Sequence, residues 1–377
     1  MPALTRDEAQ TRAQLIDVHR YTVELDLTHA ADPDGETFDS RTVIRFSART
    51  DGATFVELNP AELRSATLDG QPLDPAALVD NRLALDGLTA GEHELRVDAA
   101  MRYSRTGEGM HRFTDPSDGE TYTYSQMFME NVQRVFPAFD QPDLKAAFDL
   151  TVTAPEGWTV LANGITEHLG GGTWRAATTP LISTYLVAVA AGPYHSVRTE
   201  HRGLPFGIHC RRSLAPFLDA DADEILGITR ACFDRFHEKF DEPYPFDSYD
   251  QAFVPEFNEG AMENPGLVTF RDEYVFRSAV TDTERQSRAM TIAHEMAHMW
   301  FGDLVTLRWW DDIWLNESFA EYMGFQTIAE TTAGAVTGAA AQTIAGSTRS
   351  MDPWTAFGIA RKTWGYDADQ RPSTHPV

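Results

Sequence analysis

Between residues 20 and 190 apolar side chains return again and again at every second position. Tyr21, Val23, Leu25 and Leu27 alternate with Thr22, Glu24 and Asp26. A strand turns successive side chains to opposite faces, so this alternation gives one dry face and one wet face. Similar short runs follow: R-T-V-I-R-F-S-A, T-F-V-E-L-N, H-E-L-R-V-D, F-D-L-T-V-T-A and T-Y-L-V-A-V-A-A. Turn residues part them, at D-P-D-G (32–35), L-D-G-Q-P (68–72) and P-E-G-W (155–158). No helix longer than about two turns is expected in this stretch. Many short strands with such breaks predict an antiparallel sandwich or saddle-like sheet.

The texture changes near A-G-P-Y, at 191–194. Residues 219–240 carry a helical pattern, with Leu226, Thr229, Phe233, Phe236 and Phe240 on one side. S-Y-D-Q-A-F-V reads as a strand, N-E-G-A-M-E-N-P-G as a loop, and L-V-T-F-R-D-E-Y-V-F as another strand. T-D-T-E at 281–284 is a capping box, with Thr281 and Glu284 three apart. It predicts a helix of about twenty residues that stops near Gly302. Asn316 is expected to cap a further helix. Residues 333–347, rich in Ala, Gly and Thr, read as a weak helix or linker. The chain has no internal repeats.

The helix that begins at the capping box carries H-E-M-A-H, with His294 and His298 four apart and Glu295 between them. On a helix, i and i+4 share a face, so both imidazoles can reach one ion. Glu295 is rotated by about 100° and can reach a water rather than the ion. A zinc site that does chemistry needs three protein ligands and an open position, and Glu317 is the candidate third ligand. The alternative is two surface histidines on an ordinary helix. Ala293, Met296, Ala297, Met299 and Trp300 make the segment apolar, and a glutamate buried there needs a purpose. Zinc at such a site polarises a carbonyl and activates water, with Glu295 as the base. G-A-M-E-N, at 260–264, reads two ways. It is a turn, as its Gly and Asn suggest. Otherwise Glu263 holds a substrate α-ammonium, and extended backbone at 260–262 pairs with a peptide as an added strand.

Net charge is −26, from 31 basic and 57 acidic residues, which argues against nucleic-acid binding. It serves solubility, or it attracts cationic groups such as peptide amino termini. Cys210 and Cys232 form no C-x-x-C pattern, so no disulfide framework is expected. The first ten residues carry acidic side chains and no apolar core, and no run is long enough to span a membrane. A cytoplasmic protein with no membrane partner is expected.

G-A-M-E-N followed by H-E-x-x-H and a later glutamate resembles the gluzincin aminopeptidases of the aminopeptidase N type, in an actinobacterial-like form. W-F-G-D-L-V-T (300–306), W-W-D-D-I-W-L-N-E-S-F-A-E-Y (309–322) and R-V-F-P-A-F-D-Q-P-D-L-K-A (134–146) resemble family segments too, and the likeness extends over residues 15–377. It implies an α+β, multidomain chain: an antiparallel β saddle or sandwich over 1–194, then a thermolysin-like α/β zinc catalytic domain over 195–377, truncated at its C-terminus. It implies one zinc ion on His294, His298 and Glu317, with Glu295 as base. Peptides with a free N-terminus would be the substrates, their amino group on Glu263. Gly260 and Ala261 would line the peptide backbone, Met262 would sit near the first side-chain pocket, and Asn264 and Gln126 would join the substrate-binding set.

The chain departs from the family in two places. Relatives carry a segment resembling T-Q-F-E-P that supplies a Gln and a second ammonium anchor. Here it reads S-Q-M-F-M-E-N, so Gln126 matches and Phe128 falls on the anchor position. Glu130 replaces that anchor if the strand bulges, and is otherwise a solvated charge. The chain also ends at S-T-H-P-V (373–377), before the Y-x-K-G tyrosine that serves relatives as an oxyanion donor. Tyr366 is the nearest tyrosine, in an unrelated setting. Loss of one such donor costs about 10²–10³ in turnover, so weak or no activity is expected of these residues alone. The missing C-terminal part is expected to pack on 195–377. The competing readings are a non-catalytic zinc-binding remnant, a thermolysin-like endopeptidase and an epoxide hydrolase.

Overall fold

The computed structural model describes residues 3–332 and 351–372. Three long strands, Ile16–Asp26, Thr37–Ala48 and Gly91–Ser104, run antiparallel side by side in a twelve-stranded sheet. The alternation seen in the sequence sets their faces. Tyr21, Val23 and Leu25 are buried, and Glu24 and Asp26 are exposed. Two pairings in this sheet are parallel: Ile16–Asp26 with Ala147–Thr153, and Gly91–Ser104 with Gly109–Thr114. They join strands or ends that no periodicity links, so the expectation of an antiparallel sheet describes the remaining pairs. At 69–70 the chain turns in two residues, with Asp69 and Gly70 both at positive φ (53° and 76°). That is the twist a tight hairpin needs.

Helix α1 (Arg6–Leu15) precedes the first strand. Its buried residues are Ala9 and Arg12, so no apolar stripe announces it. Arg12 reaches into the sheet's core and forks onto Glu57, while its Nε donates to Gln141. The Thr5–Glu8 capping box starts it.

A second, five-stranded sheet follows, in the order His195–His201, Leu204–Cys210, Tyr249–Val254, Leu267–Arg271, Ala261–Met262. Its central strands are buried on both faces. Ala252, Val254 and Leu267 join the core of the large sheet. Phe253, Val268 and Phe270 join a second core beneath the helices. Strands dry on both sides read as continuous apolar runs, as these do.

Helix α2 (Ala215–Lys239) buries Leu226, Thr229, Phe233 and Phe236. Phe240, expected on the same side, lies just past its end, half-buried. Helix α3 (Asp282–His298) starts at Thr281 with both bonds of the predicted capping box. It ends at His298, a turn before Gly302, whose φ is +134°. Helix α4 (Trp314–Thr332) begins two residues before Asn316. Asn316 is therefore in its first turn and is not the expected cap; its N–H donates to Ile313 O. A Cβ at Gly324 would lie 3.1 Å from His294 N, so the glycine lets α4 close onto α3 beside the histidines. Helix α5 (Pro353–Asp369) starts at Asp352, whose carboxylate accepts from Thr355 N–H. The expected linker at 333–347 and the segment 373–377 lie outside the described residues.

Candidate active site

His294 and His298 sit in the last turns of α3, and Glu317 sits in the first turn of α4. Their free atoms converge. His294 Nε2 and His298 Nε2 are 3.0 Å apart, and Glu317 Oε2 lies 3.5 Å from the first and 3.7 Å from the second. Ligand atoms about 2.1 Å from a tetrahedral ion are about 3.3–3.4 Å from one another. The triangle matches. Its chemistry also asks for a cation. His298 Nδ1 lies 3.0 Å from the Phe301 carbonyl, which can only accept, so Nδ1 carries a proton and Nε2 is the nitrogen left to face an ion. Behind His294 the Glu321 carboxylate lies 2.9 Å from Nδ1, off the line of a straight hydrogen bond. Two imidazole nitrogens and a carboxylate oxygen held this close suit a cation between them. These residues fit a single zinc ion.

Glu295 and Glu263 are both buried, at 4% and 5% exposure. Ligand-type oxygens of Glu263 and Glu295 and a nitrogen of His298 lie within 4.8 Å of one another. Burial pushes the Glu295 carboxyl up to about 8, while His294 and His298 pull the other way. Burial also raises Glu263, against the pull of His298. A cation in the cleft draws both carboxyls down. The cleft itself holds about 440 Å³, and Gly260, Ala261, Met262, Glu263, Glu295 and Phe128 are on its walls. Ala261–Met262 is the edge strand of the second sheet, paired on one side only, with Leu267–Arg271.

Gln126 and Asn264 are absent from the cleft's wall. Gln126 ends the strand Thr121–Gln126, 2% exposed, with Nε2 3.5 Å from Glu259 Oε2. Asn264 closes the turn back into Leu267–Arg271, with Nδ2 donating to Thr269 Oγ1 at 3.3 Å. Glu130 is exposed and faces a different recess, beside Leu4, Glu57 and Gln133. Phe128 lines the cleft and meets Trp310 and Tyr185 edge-on, both at 5.6 Å. Tyr366 is 59% exposed on α5 and away from the wall.

Several wall residues escaped sequence reasoning, among them Tyr274, Glu321 and Arg361. Glu321 was within reach, because it follows Glu317 by four positions and so shares its helical face. Arg361 had no such signal; only the packing of α5 brings it in.

Comparison with known proteins agrees with this geometry on both halves of the chain. Residues 225–354 match the peptidase family M1 domain, and residues 79–186 match the peptidase M1 N-terminal domain. Aminopeptidase N of Streptomyces lividans is 50% identical over 380 residues, covering 99% of this chain and 42% of the relative. Puromycin-sensitive aminopeptidase of Caenorhabditis elegans is 36% identical, covering 58% of this chain and 24% of the relative. Human aminopeptidase N is 37% identical, covering 53% and 22%. The chain thus spans about two fifths of the length of the first relative and about a quarter of the others. With a likeness that runs from the β sheet through the histidine helix, the chain belongs to the M1 peptidase family.

Proposed function

We propose that this chain carries the zinc centre of an aminopeptidase that hydrolyses the N-terminal peptide bond of peptides. The observation that carries the reading is the donor triangle of His294, His298 and Glu317, with buried Glu295 and Glu263 beside it. A bound zinc ion supplies Lewis acidity and an activated water. Glu295 takes the water's proton and passes it to the leaving amine. Glu263, buried beside the donor triangle, holds the substrate's α-ammonium. The open edge of Ala261–Met262 receives the peptide backbone as an added strand, with Gly260 at its start and Met262 near the first side chain. Gln126 and Asn264 act from behind this wall, on Glu259 and on the turn that presents Glu263.

The division into a β domain (1–194) and a catalytic domain (195–377) is part of the proposal. It is supported by the two cores, which meet across the second sheet. No described helix is long and apolar enough to cross a membrane. A cytoplasmic setting is proposed alongside, in keeping with the free, buried Cys210 and Cys232. Trp314 and Leu315 on α4 and Ile359 and Trp364 on α5 are exposed, and we take them as the surface on which a further C-terminal segment packs.

The test combines zinc content with hydrolysis of an aminoacyl chromogenic substrate and of its N-acetylated form. Stoichiometric zinc with turnover of the free amine alone is the expected result. Zinc without turnover favours a binding remnant, and equal turnover of both substrates favours an endopeptidase. Absence of bound zinc overturns the reading.

A further inference from the structure

We propose that Glu321, braced by Arg361, is a positioning residue that orients His294 and sets how tightly the three-ligand set holds zinc. The inference rests on the metal reading above. The two imidazoles have unlike partners. His298 Nδ1 faces the Phe301 carbonyl at 3.0 Å, a neutral backbone group fixed by the turn after α3. His294 Nδ1 faces a charge, Glu321 Oε2, at 2.9 Å, an ion-pair contact off the line of a straight hydrogen bond. Glu321 stands one helical turn beyond Glu317, so α4 supplies one ligand and the brace of another from a single face. The second carboxylate oxygen, Glu321 Oε1, accepts from Arg361 Nε on α5. The Arg361 guanidinium lies 5.9 Å from the Phe325 ring and 5.8 Å from the Trp364 ring, between a side chain of α4 and one of its own helix.

An anionic acceptor behind a ligating imidazole raises its basicity and aims its bare nitrogen. A backbone carbonyl aims the ring without adding charge. His294 is therefore the ligand whose strength depends on side chains, and part of that dependence comes from α5, where no proposed metal ligand lies. Arg361 is 40% exposed, so water screens its pair with Glu321, and its effect is the smaller of the two.

The experiment measures zinc dissociation constants of the whole 377-residue chain by competition with a chromogenic chelator. The visible absorption of the cobalt-loaded protein reports ligand geometry. Glu321→Gln is expected to weaken zinc binding by ~10–100-fold and to shift the cobalt bands. Glu321→Asp, which keeps the charge, recovers part of the loss. Arg361→Gln weakens binding less, and adds nothing in the Glu321→Gln background. Unchanged affinity in a folded Glu321→Gln protein overturns the proposal. So does an Arg361→Gln loss that persists undiminished in that background. If Glu321→Gln does not fold by circular dichroism, Arg361→Gln decides alone, and unchanged zinc affinity there overturns the chain of contacts. A wild-type chain that binds no zinc sinks the metal reading and this inference with it.

Discussion

Arg288 is the side chain whose loss the histidine helix should feel most. It lies on α3 with no exposed surface. Its Nη1 donates to Asp221 Oδ2 at 2.6 Å and to the Tyr274 carbonyl at 2.9 Å, and its Nη2 donates to Glu224 Oε1 at 2.8 Å. The guanidinium also lies 4.1 Å from the centre of the Phe276 ring. These contacts tie α3 to α2 and to the segment after the second sheet. Arg288→Met keeps the volume and removes the charge. Asp221, with a side chain 11% exposed, is then left buried without its partner. Breaking a buried pair from one side costs ~3–5 kcal/mol. Glu224 is 21% exposed and can turn to water, which places the expected loss at the lower end, ~3 kcal/mol. That is about a hundredfold in the folded-to-unfolded ratio. Urea titration followed by circular dichroism measures it as a lower midpoint with an unchanged slope. Adding Asp221→Leu to Arg288→Met should restore much of the loss, because it is the stranded charge that is costly. A single variant within ~1 kcal/mol of wild type, or a double variant with the two losses simply summed, refutes the reasoning.

Glu295→Gln should keep zinc and lose ~10²–10⁴ in turnover; a variant that also loses the metal would assign Glu295 to ligation instead of proton transfer. Glu263→Gln should raise KM for free-amine substrates by ~10–100-fold, the worth of a charged hydrogen bond, and an unchanged KM removes Glu263 as the ammonium anchor. Asp115 is buried, which raises its carboxyl, but Ser213, the Ser117 N–H and Arg211 together hold it down at about 2, below the ordinary 3.8. Its contribution is thus present above about pH 4 and is lost as the pH falls toward 2; the stability gap between wild type and Asp115→Asn should close over that window, and a gap independent of pH contradicts it. Asp140 has the opposite sign: burial, and Glu57 beside it, push its carboxyl up to about 8 from 3.8. Stability from the protonated form is complete below about pH 4 and drains away as the pH rises through 8, so Asp140→Asn should gain on wild type between pH 4 and 8 in urea melts, and equal pH profiles would count against it.

Legibility followed the physics of each element. Where burial is one-sided, as at Tyr21, Val23 and Leu25, the alternation was enough. Thr281 and Glu284 announced α3 because a capping box is a local contact. α1 stayed hidden because its inward face is held by Arg12, an ion pair with Glu57 that lies far along the chain. Asn316 misled for a related reason. It has the composition of a cap, but α4 starts at Trp314 with the Ile313 carbonyl taking its N–H. The site divides in the same way. His294, Glu295 and His298 follow from helical spacing and Glu317 from the family pattern, whereas Phe128 and Arg361 reach the cleft only through tertiary packing.

The second sheet has no side of its own. Ala252, Val254, Met262 and Leu267 are anchored in the core of the large sheet, and Met296, Ala297 and Ala320 in the core under the helices. Glu263 follows Met262, and Glu295 precedes Met296, so each carboxylate is bolted to a different foundation. Because the same strands feed both cores, a small shift of the second sheet against either one changes the gap between the two glutamates. The width of the cleft is therefore a gauge of how the two cores are seated. Substitutions at Ala252 or Val254, remote from every reacting atom, become a means of retuning it.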